Sequence, residues 1–218
     1  AFSQTPMKTA AEAKLSASDL AVKIADRILA TTTYEFKNTK TGKTYKSVKN
    51  LPLDMNVKVA CKYNNWHYTN GVTHIALMEL ADKTGAKKYD DYVLKNMNFV
   101  FNEGNLDFFK KQYEQAMKNE GWYGVRKLSW HMIFRGKRLD DNGPMGASLI
   151  DLQMKHPNNS FLNYINETAE HLNYGEPRLA DGTIARIWPH ENTIWADDAF
   201  MAISFLARMA KMTGDMSY

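Results

Sequence analysis

The sequence has little cysteine, little net charge and no long apolar run, and each shortage excludes a class of protein. Cys61 is the single cysteine among 218 residues, which excludes an internal disulfide and a thiolate zinc cluster. The apolar runs are far shorter than the roughly 20 residues that span a bilayer, so no membrane segment is predicted. The net charge of +4 gives no reason to expect nucleic-acid binding, which needs clustered basic faces.

The composition is that of a globular protein. Apolar residues make up 44% and charged residues 24%, both near globular averages. We therefore expect one folded domain over 1–218. The chain opens with Ala1-Phe2-Ser3-Gln4 and has no initiator Met, as after removal of a signal peptide or at an arbitrary boundary. The first interpretation predicts a periplasmic or secreted protein, and the residues leave both open.

Apolar residues recur at helical spacing over most of the chain. Helices are predicted at 16–30, 71–84, 89–101, 106–118, 144–156, 160–173 and 198–212. The segment 31–65 breaks this pattern and is rich in Thr, Lys and Asn. Within it, Lys40-Thr41-Gly42-Lys43 predicts the tip of a β-hairpin, so 31–65 is interpreted as an insertion into a helical array.

The helices repeat as hairpins. Thr84-Gly85 with Tyr89 is echoed by Thr213-Gly214 with Tyr218, and a degenerate copy has His156-Pro157 with Phe161. Glycine suits the left-handed residue that ends a helix, and the aromatic residue then begins the returning helix. Such hairpins pack side by side as a solenoid or a closed toroid.

The last repeat ends at its turn. Seven helices in 218 residues is about 31 residues each, so the twelve helices of a closed six-hairpin toroid need roughly 370. The sequence therefore predicts a partial toroid. We expect the apolar face of its last helix, formed by Phe200, Ile203, Phe205 and Leu206, to be incompletely covered, and the partial chain to self-associate through it.

Polar and aromatic residues precede the first helix of each repeat. These segments are Trp66–Asn70, Asp140–Gly143 and Trp195–Asp198. The first helices of a hairpin array run parallel, so their amino ends share one rim. Aromatic faces for sugar rings and carboxylates for acid–base chemistry are typical of a carbohydrate site. An Asp in this position also caps a helix, although one cap needs only one carboxylate of each pair.

Three segments carry the motifs of one enzyme group: Trp66-His-Tyr68-x-Asn70-Gly71, Asp140-Asp141-x-Gly143-x-Met145-Gly146 and Trp195-Ala-Asp197-Asp198-x-Phe200-Met201. Residues 60–218 resemble the unsaturated glucuronyl and rhamnogalacturonyl hydrolases of glycoside hydrolase families 88 and 105. The resemblance implies an all-α (α/α)6 toroid, here partial, with no metal or organic cofactor. It implies an oligosaccharide substrate whose terminal uronate carries a C4=C5 double bond, which the enzyme hydrates.

The resemblance also implies roles for individual residues. Asp197 matches the general acid/base, and Asp141 matches the second active-site carboxylate. Trp66 and Tyr68 match the aromatic segment that lines the uronate subsite. Arg186 stands where several relatives have His, and its guanidinium is expected to pair with the substrate carboxylate. The last two predicted substrate-binding residues, His190 and Trp195, precede Asp197 closely.

Two alternatives stay open. One is another (α/α)6 carbohydrate-active enzyme with different chemistry, and the other is a helical-repeat binding module without catalysis. The two carboxylates Asp141 and Asp197 separate them, because a binding module needs no carboxylate pair at one rim. The six histidines lack the spacing of a metal site, so no metal is predicted.

Overall fold

The computed structural model describes residues 15–135 and 138–218. The helices of these ranges are α1 (Ala17–Thr31), α2 (Tyr68–Thr84), α3 (Lys88–Phe101), α4 (Glu103–Val125), α5 (Met132–Arg135), α6 (Leu139–Lys155), α7 (Asn159–Glu170) and α8 (Ala196–Thr213). A π-helical turn, His171–Gly175, follows α7. None of the described helices has both the length and the apolarity to cross a membrane. The opening segment Ala1–Gln4 lies outside the described residues.

Helices α2, α6 and α8 lie side by side and run in the same direction, and we call them the inner row. At the amino ends, Gly71 of α2 meets the backbone of Pro144 in α6. At the carboxyl ends, the Lys155 ammonium of α6 bonds to the Asp82 carboxylate of α2 at 3.0 Å. Helices α3 and α7 return along α2 and α6. The predicted array of helical hairpins is confirmed, and its core lies between the inner row and the returning helices α3 and α7.

Two glycines allow the inner row to pack closely. A Cβ added to Gly71 would lie 2.3 Å from the Pro144 carbonyl carbon, and one added to Gly143 would lie 2.6 Å from the Met201 carbonyl oxygen. Any side chain at these positions would separate the helix starts. The close contact therefore holds the amino ends of α2, α6 and α8 together at one rim.

The repeated turns have the predicted geometry. Gly85 and Gly214 end α2 and α8 with φ of 70° and 78°. The Thr84 hydroxyl donates to the Leu80 carbonyl at 2.6 Å, and Thr213 repeats this bond at 2.8 Å. The aromatic residues that follow the first two turns, Tyr89 and Phe161, are buried in the core.

The segment between α1 and α2 forms a small antiparallel sheet of β1 (Phe36–Asn38), β2 (Thr44–Tyr45) and β3 (Val57–Val59), in the order β2-β1-β3. Phe36 pairs with Tyr45 across the predicted hairpin and with Val59 across the other edge. The alternation of Val57, Lys58 and Val59 points both valines into the core beside Phe36. β3 is too short for its periodicity to be distinctive in the sequence.

Helix boundaries differ from the predicted ones mainly at the rim. Helices α2, α6 and α8 begin at Tyr68, Leu139 and Ala196, between two and five residues before the predicted starts at 71, 144 and 198. The polar segments therefore form the first turns, where carboxylates interact favourably with the helix dipole. Helix α4 exceeds its predicted range of 106–118 at both ends, and non-helical Gly121 interrupts it at φ 60°.

The exposed apolar face of α8 is smaller than predicted. Phe205 packs beside Gly146 of α6 and is fully buried, and Leu206 is half-buried, whereas Phe200 and Ile203 are exposed. The expectation that Phe205 is uncovered is thus corrected, because α6 lies against this side of α8. Self-association stays a prediction.

Candidate active site

The first turns of α6 and α8 each bury the second aspartate of an Asp-Asp pair. Asp141 is fully buried, and both of its carboxylate oxygens accept hydrogen bonds from the guanidinium of Arg135. Asp198 is 5% exposed and is held in the same two-bond manner by Arg186, whose Nη2 lies 2.6 Å from Oδ1. These second aspartates bind arginines, so the capping role considered for them does not apply.

The first aspartate of each pair faces outward. Asp197 is exposed, and its Oδ1 accepts the backbone N–H of Asp198 at 3.0 Å. Asp140 is half-buried and lines a cleft at the rim. Successive residues at a helix start project in different directions, which separates each pair into a buried and an accessible carboxylate. Of these four aspartates, Asp140 and Asp197 are therefore the more accessible to a solute.

The electrostatics of the two ion pairs differ. Burial raises the pKa of Asp141, and the opposing effect of Arg135 does not cancel it. The Asp198 carboxylate raises the pKa of Arg186, and the charges of Asp140 and Asp197 add to this effect. The charges of three carboxylates therefore act on the Arg186 guanidinium.

The rim cleft has a volume of about 400 Å³ and lies between the starts of α6 and α8, the π-helical turn and the loop before α8. Its charged and ionisable lining comprises Arg138, Asp140, His171, Glu176, Arg186 and Asp198. The indole of Trp188, which is 69% exposed, lines the same cleft. This combination of charges with an exposed ring fits a polar ligand that has a flat apolar face.

An acid–imidazole pair closes one side of the rim cleft. The π-helical turn places His171 Nε2 3.0 Å from Glu176 Oε1. Burial raises the pKa of Glu176, and the nearby Asp198 charge acts in the same direction. π-Helical turns occur frequently at functional sites.

Arg186 is held on one edge and one face by other residues. One edge of its guanidinium binds Asp198, and its face lies 4.0 Å from the ring centroid of Trp195. Trp195 is 40% exposed, so its ring supports the guanidinium and still meets solvent. The structure thus brings the predicted residues Asp197, Arg186 and Trp195 together.

Trp66 does not lie in the cleft. It is fully buried, with its ring centroid 4.9 Å from that of Tyr164, and its Nε1 donates to the Asp141 carbonyl at 2.7 Å. This corrects the expectation that Trp66 lines the uronate subsite. The buried indole N–H is satisfied by this backbone acceptor, and the hydrogen bond links the start of α2 to that of α6.

Of the predicted residues, Arg186 lines the rim cleft, and the accessible residues Asp197, Trp195, Tyr68 and His190 stand outside its described lining. Tyr68 begins α2, and its ring contacts that of His67 in a tilted arrangement with 4.5 Å between the centroids. His190 is exposed in the loop before α8, where its carbonyl accepts a bond from Thr193. Among the described residues no group of three metal-ligating side chains occurs.

The sequence analysis gave no individual role to five residues that line the rim cleft: Arg138, Asp140, His171, Glu176 and Trp188. The sequence did hold a signal for Asp140. One helix cap needs only one carboxylate, so the second aspartate of the pair was available for another role. Glu176 and Arg138 carried none, since their positions depend on the packing of the π-helical turn against α6.

Comparison with known proteins identifies the family. The model of Glycosyl Hydrolase Family 88 matches residues 40–218. The chain belongs to Glycosyl Hydrolase Family 88. The resemblance drawn from the motifs is thereby confirmed.

A solved structure shares the fold of this family 88 chain. It is the crystal structure of a possible member of glycoside hydrolase family 105 from Klebsiella pneumoniae subsp. pneumoniae, with 13% sequence identity and a TM-score of 0.52. The match covers 100% of this chain and 50% of that one, so the chain spans half the length of that structure. The predicted all-α fold of the (α/α)6 type, in part, is confirmed. No curated protein matches the chain.

Proposed function

We propose that this protein is a glycosidase for oligosaccharides that end in an unsaturated uronate, of the rhamnogalacturonan or pectin type. The observation that carries the proposal is the exposed Asp197 carboxylate beside the Arg186–Asp198 pair, in a chain of family 88. Asp198 is committed to Arg186, which leaves Asp197 as the acidic group of α8 that can meet a substrate.

Asp197 is proposed as the general acid/base. Its carboxyl group donates a proton to C4 of the double bond, and the resulting carboxylate takes a proton from the water whose oxygen adds to C5. The product is a hemiketal, which rearranges and releases the remaining sugar. Water is the co-reactant, and Asp197 ends the step with the proton it began with. An acid/base of this kind is worth about 10²–10⁴-fold in rate.

The second predicted carboxylate acts indirectly in this proposal. Asp141 is buried behind the rim, where it fixes the start of α6 through Arg135. Asp140, next to it, lines the cleft, and its charge acts on Arg186. We assign to Asp140 the role of a second accessible carboxylate beside the substrate.

The substrate carboxylate needs a cation that is not already paired. The guanidinium of Arg186, predicted for this role, is bound to Asp198 and covered by Trp195. Arg138 lines the same cleft, is exposed, and forms no ion pair with a described residue. We assign the uronate carboxylate to Arg138 and one face of the sugar ring to Trp188.

The test is incubation of the protein with disaccharides generated by a pectin lyase. The double bond absorbs ultraviolet light, and loss of that absorbance with release of the second sugar is the expected result. Saturated disaccharides of the same composition are the control, and they should remain intact. Cleavage of the saturated sugar, or an unchanged double bond, would contradict the proposal.

A further inference from the structure

A second cleft lies between the small sheet and the α3–α4 turn, and we call it the lysine cleft. Its volume is about 690 Å³, and it shares no lining residue with the rim cleft. One wall comes from β1 and from residues 46–49 after β2, and the other from α3 and the start of α4. The segment 31–65, whose Lys, Thr and Asn content set it apart in the sequence, therefore builds half of a concave surface.

The floor of the lysine cleft is apolar and formed by aromatic rings in mutual contact. The ring centroids of Tyr34 and Phe99 are 5.5 Å apart, and those of Phe36 and Phe99 are 5.8 Å apart. Phe36 is buried to 1% exposure, so this floor is continuous with the protein core. An apolar floor beneath a polar edge is the usual construction of a pocket for a small organic ligand.

The edge of the lysine cleft carries positive charge. Lys46, Lys49 and Lys95 are exposed, line the cleft and form no ion pair with a described residue. Asp91 is the one carboxylate among the described lining side chains. The Lys95 ammonium is held 4.3 Å from the centroid of the Tyr34 ring, which fixes its position.

Carboxamide groups complete the edge. Asn98 is exposed on α3. Asn102 and Asn105 also line the cleft, but Asn102 Oδ1 accepts the backbone N–H of Asn105 at 3.4 Å, and Asn105 Nδ2 donates to the Phe99 carbonyl at 2.8 Å. Ammonium groups bind carboxylates, and carboxamides donate to and accept from hydroxyl groups. A ligand that carries both carboxylates and hydroxyls on flat rings therefore matches the three ammonium groups and the exposed carboxamide of Asn98.

We propose that the lysine cleft binds an acidic oligosaccharide, a chain of uronate residues, at a site separate from the rim cleft. The choice of uronate as the anion rests on the proposed function, whereas the charge and shape of the cleft do not. A single-stranded nucleic acid fits less well, because such ligands stack on open aromatic faces, and Lys95 covers the face of Tyr34.

The experiment is isothermal titration of the protein with saturated oligogalacturonate, which has no double bond to hydrate. The variant Lys46→Ala/Lys49→Ala/Lys95→Ala should bind about 10- to 100-fold more weakly, if each ammonium contributes as an exposed charge pair does. The matched control is Lys23→Ala/Lys118→Ala/Lys211→Ala, which removes the same charge from exposed positions elsewhere. It should bind within about twofold of wild type, since distant exposed charges are screened by salt. Circular dichroism verifies that both variants fold.

Other outcomes would overturn the proposal. Equal losses in the two triple variants would show attraction by net charge alone, and no loss in the first would place binding elsewhere. Equal affinity for the fully methyl-esterified chain would exclude recognition of the carboxylates, and equal competition by single-stranded DNA would exclude a preference for sugars. The titration involves no turnover, so it stands or fails separately from the proposed hydrolase activity.

Discussion

The first turns of α6 and α8 carry the same Asp-Asp sequence, yet the two pairs have different surroundings. In α6, Asp141 is entirely buried and its Arg135 partner lies 5.1 Å from the Trp122 ring centroid, away from the described lining of the rim cleft. In α8, Asp198 and its partner Arg186 both line that cleft. The comparison teaches that one local motif gives a structural ion pair at one helix and a site-forming ion pair at the next.

The largest expected effect separates the two aspartates of α8. Asp197→Asn keeps the size of the side chain but removes the exchangeable proton, so turnover of the unsaturated disaccharide should fall by about 10²–10⁴-fold. Asp198→Asn should cost much less, because its carboxylate already binds Arg186. Initial rates of double-bond loss are the measurement, with circular dichroism as the control for folding. Near-normal turnover in Asp197→Asn would contradict the assignment.

The next largest effect is on the free energy of unfolding, and it distinguishes the two buried carboxylates. Asp141→Ala leaves Arg135 without its partner in a largely buried place, so the free energy of unfolding should drop by about 3 kcal/mol. Asp198→Ala should cost about 2 kcal/mol, since Arg186 retains contact with Trp195 and with solvent. Urea denaturation measures both. A larger loss for Asp198→Ala would reverse the assignment of structural and site-forming pairs.

A buried ionisable group without a counter-charge should behave differently from these pairs. His74 in α2 has no charged partner among the residues that the structure describes, and burial lowers its pKa to about 4. The unfolded state then binds the proton more readily, so stability is kept above pH 6.5 and is lost as the pH falls toward 4. The loss should approach about 3 kcal/mol, judged from the shift relative to the ordinary value of 6.5.

Urea denaturation at pH 7, 5.5 and 4 measures this loss. The variant His74→Gln should lack that part of the pH dependence, and His156→Gln, at an exposed position, should keep it. The same slope in wild type and His74→Gln would show that other groups cause it.

The smallest expected effect concerns Arg138, which forms no ion pair with a described residue, in contrast to Arg186. Arg138→Gln should raise KM for the unsaturated uronate about tenfold and leave kcat nearly unchanged, since it removes one charged hydrogen bond to the substrate. With the methyl ester of the same substrate, wild type and variant should have equal KM. A tenfold loss on the ester as well would show that Arg138 acts on the fold and not on the carboxylate.

Local sequence determined the helices, their hairpin turns and the rim. Gly85 and Gly214 end their helices because a left-handed residue is needed there, and Tyr89 packs after its turn because helical spacing puts it on the inner face. These features depend on neighbours within one turn of helix. They could therefore be predicted, as could the position of the acidic pairs at the rim.

Tertiary structure alone decided which aspartate of each pair is accessible. The adjacent residues Asp140 and Asp141 are chemically identical, and Arg135, on a separate short helix, buries one and leaves the other at the cleft. Trp66 is buried for the same kind of reason, because its partner Tyr164 comes from α7, about a hundred residues later. Burial and ion pairing depend on which elements contact each other in space, and the periodicity of the sequence does not specify those contacts.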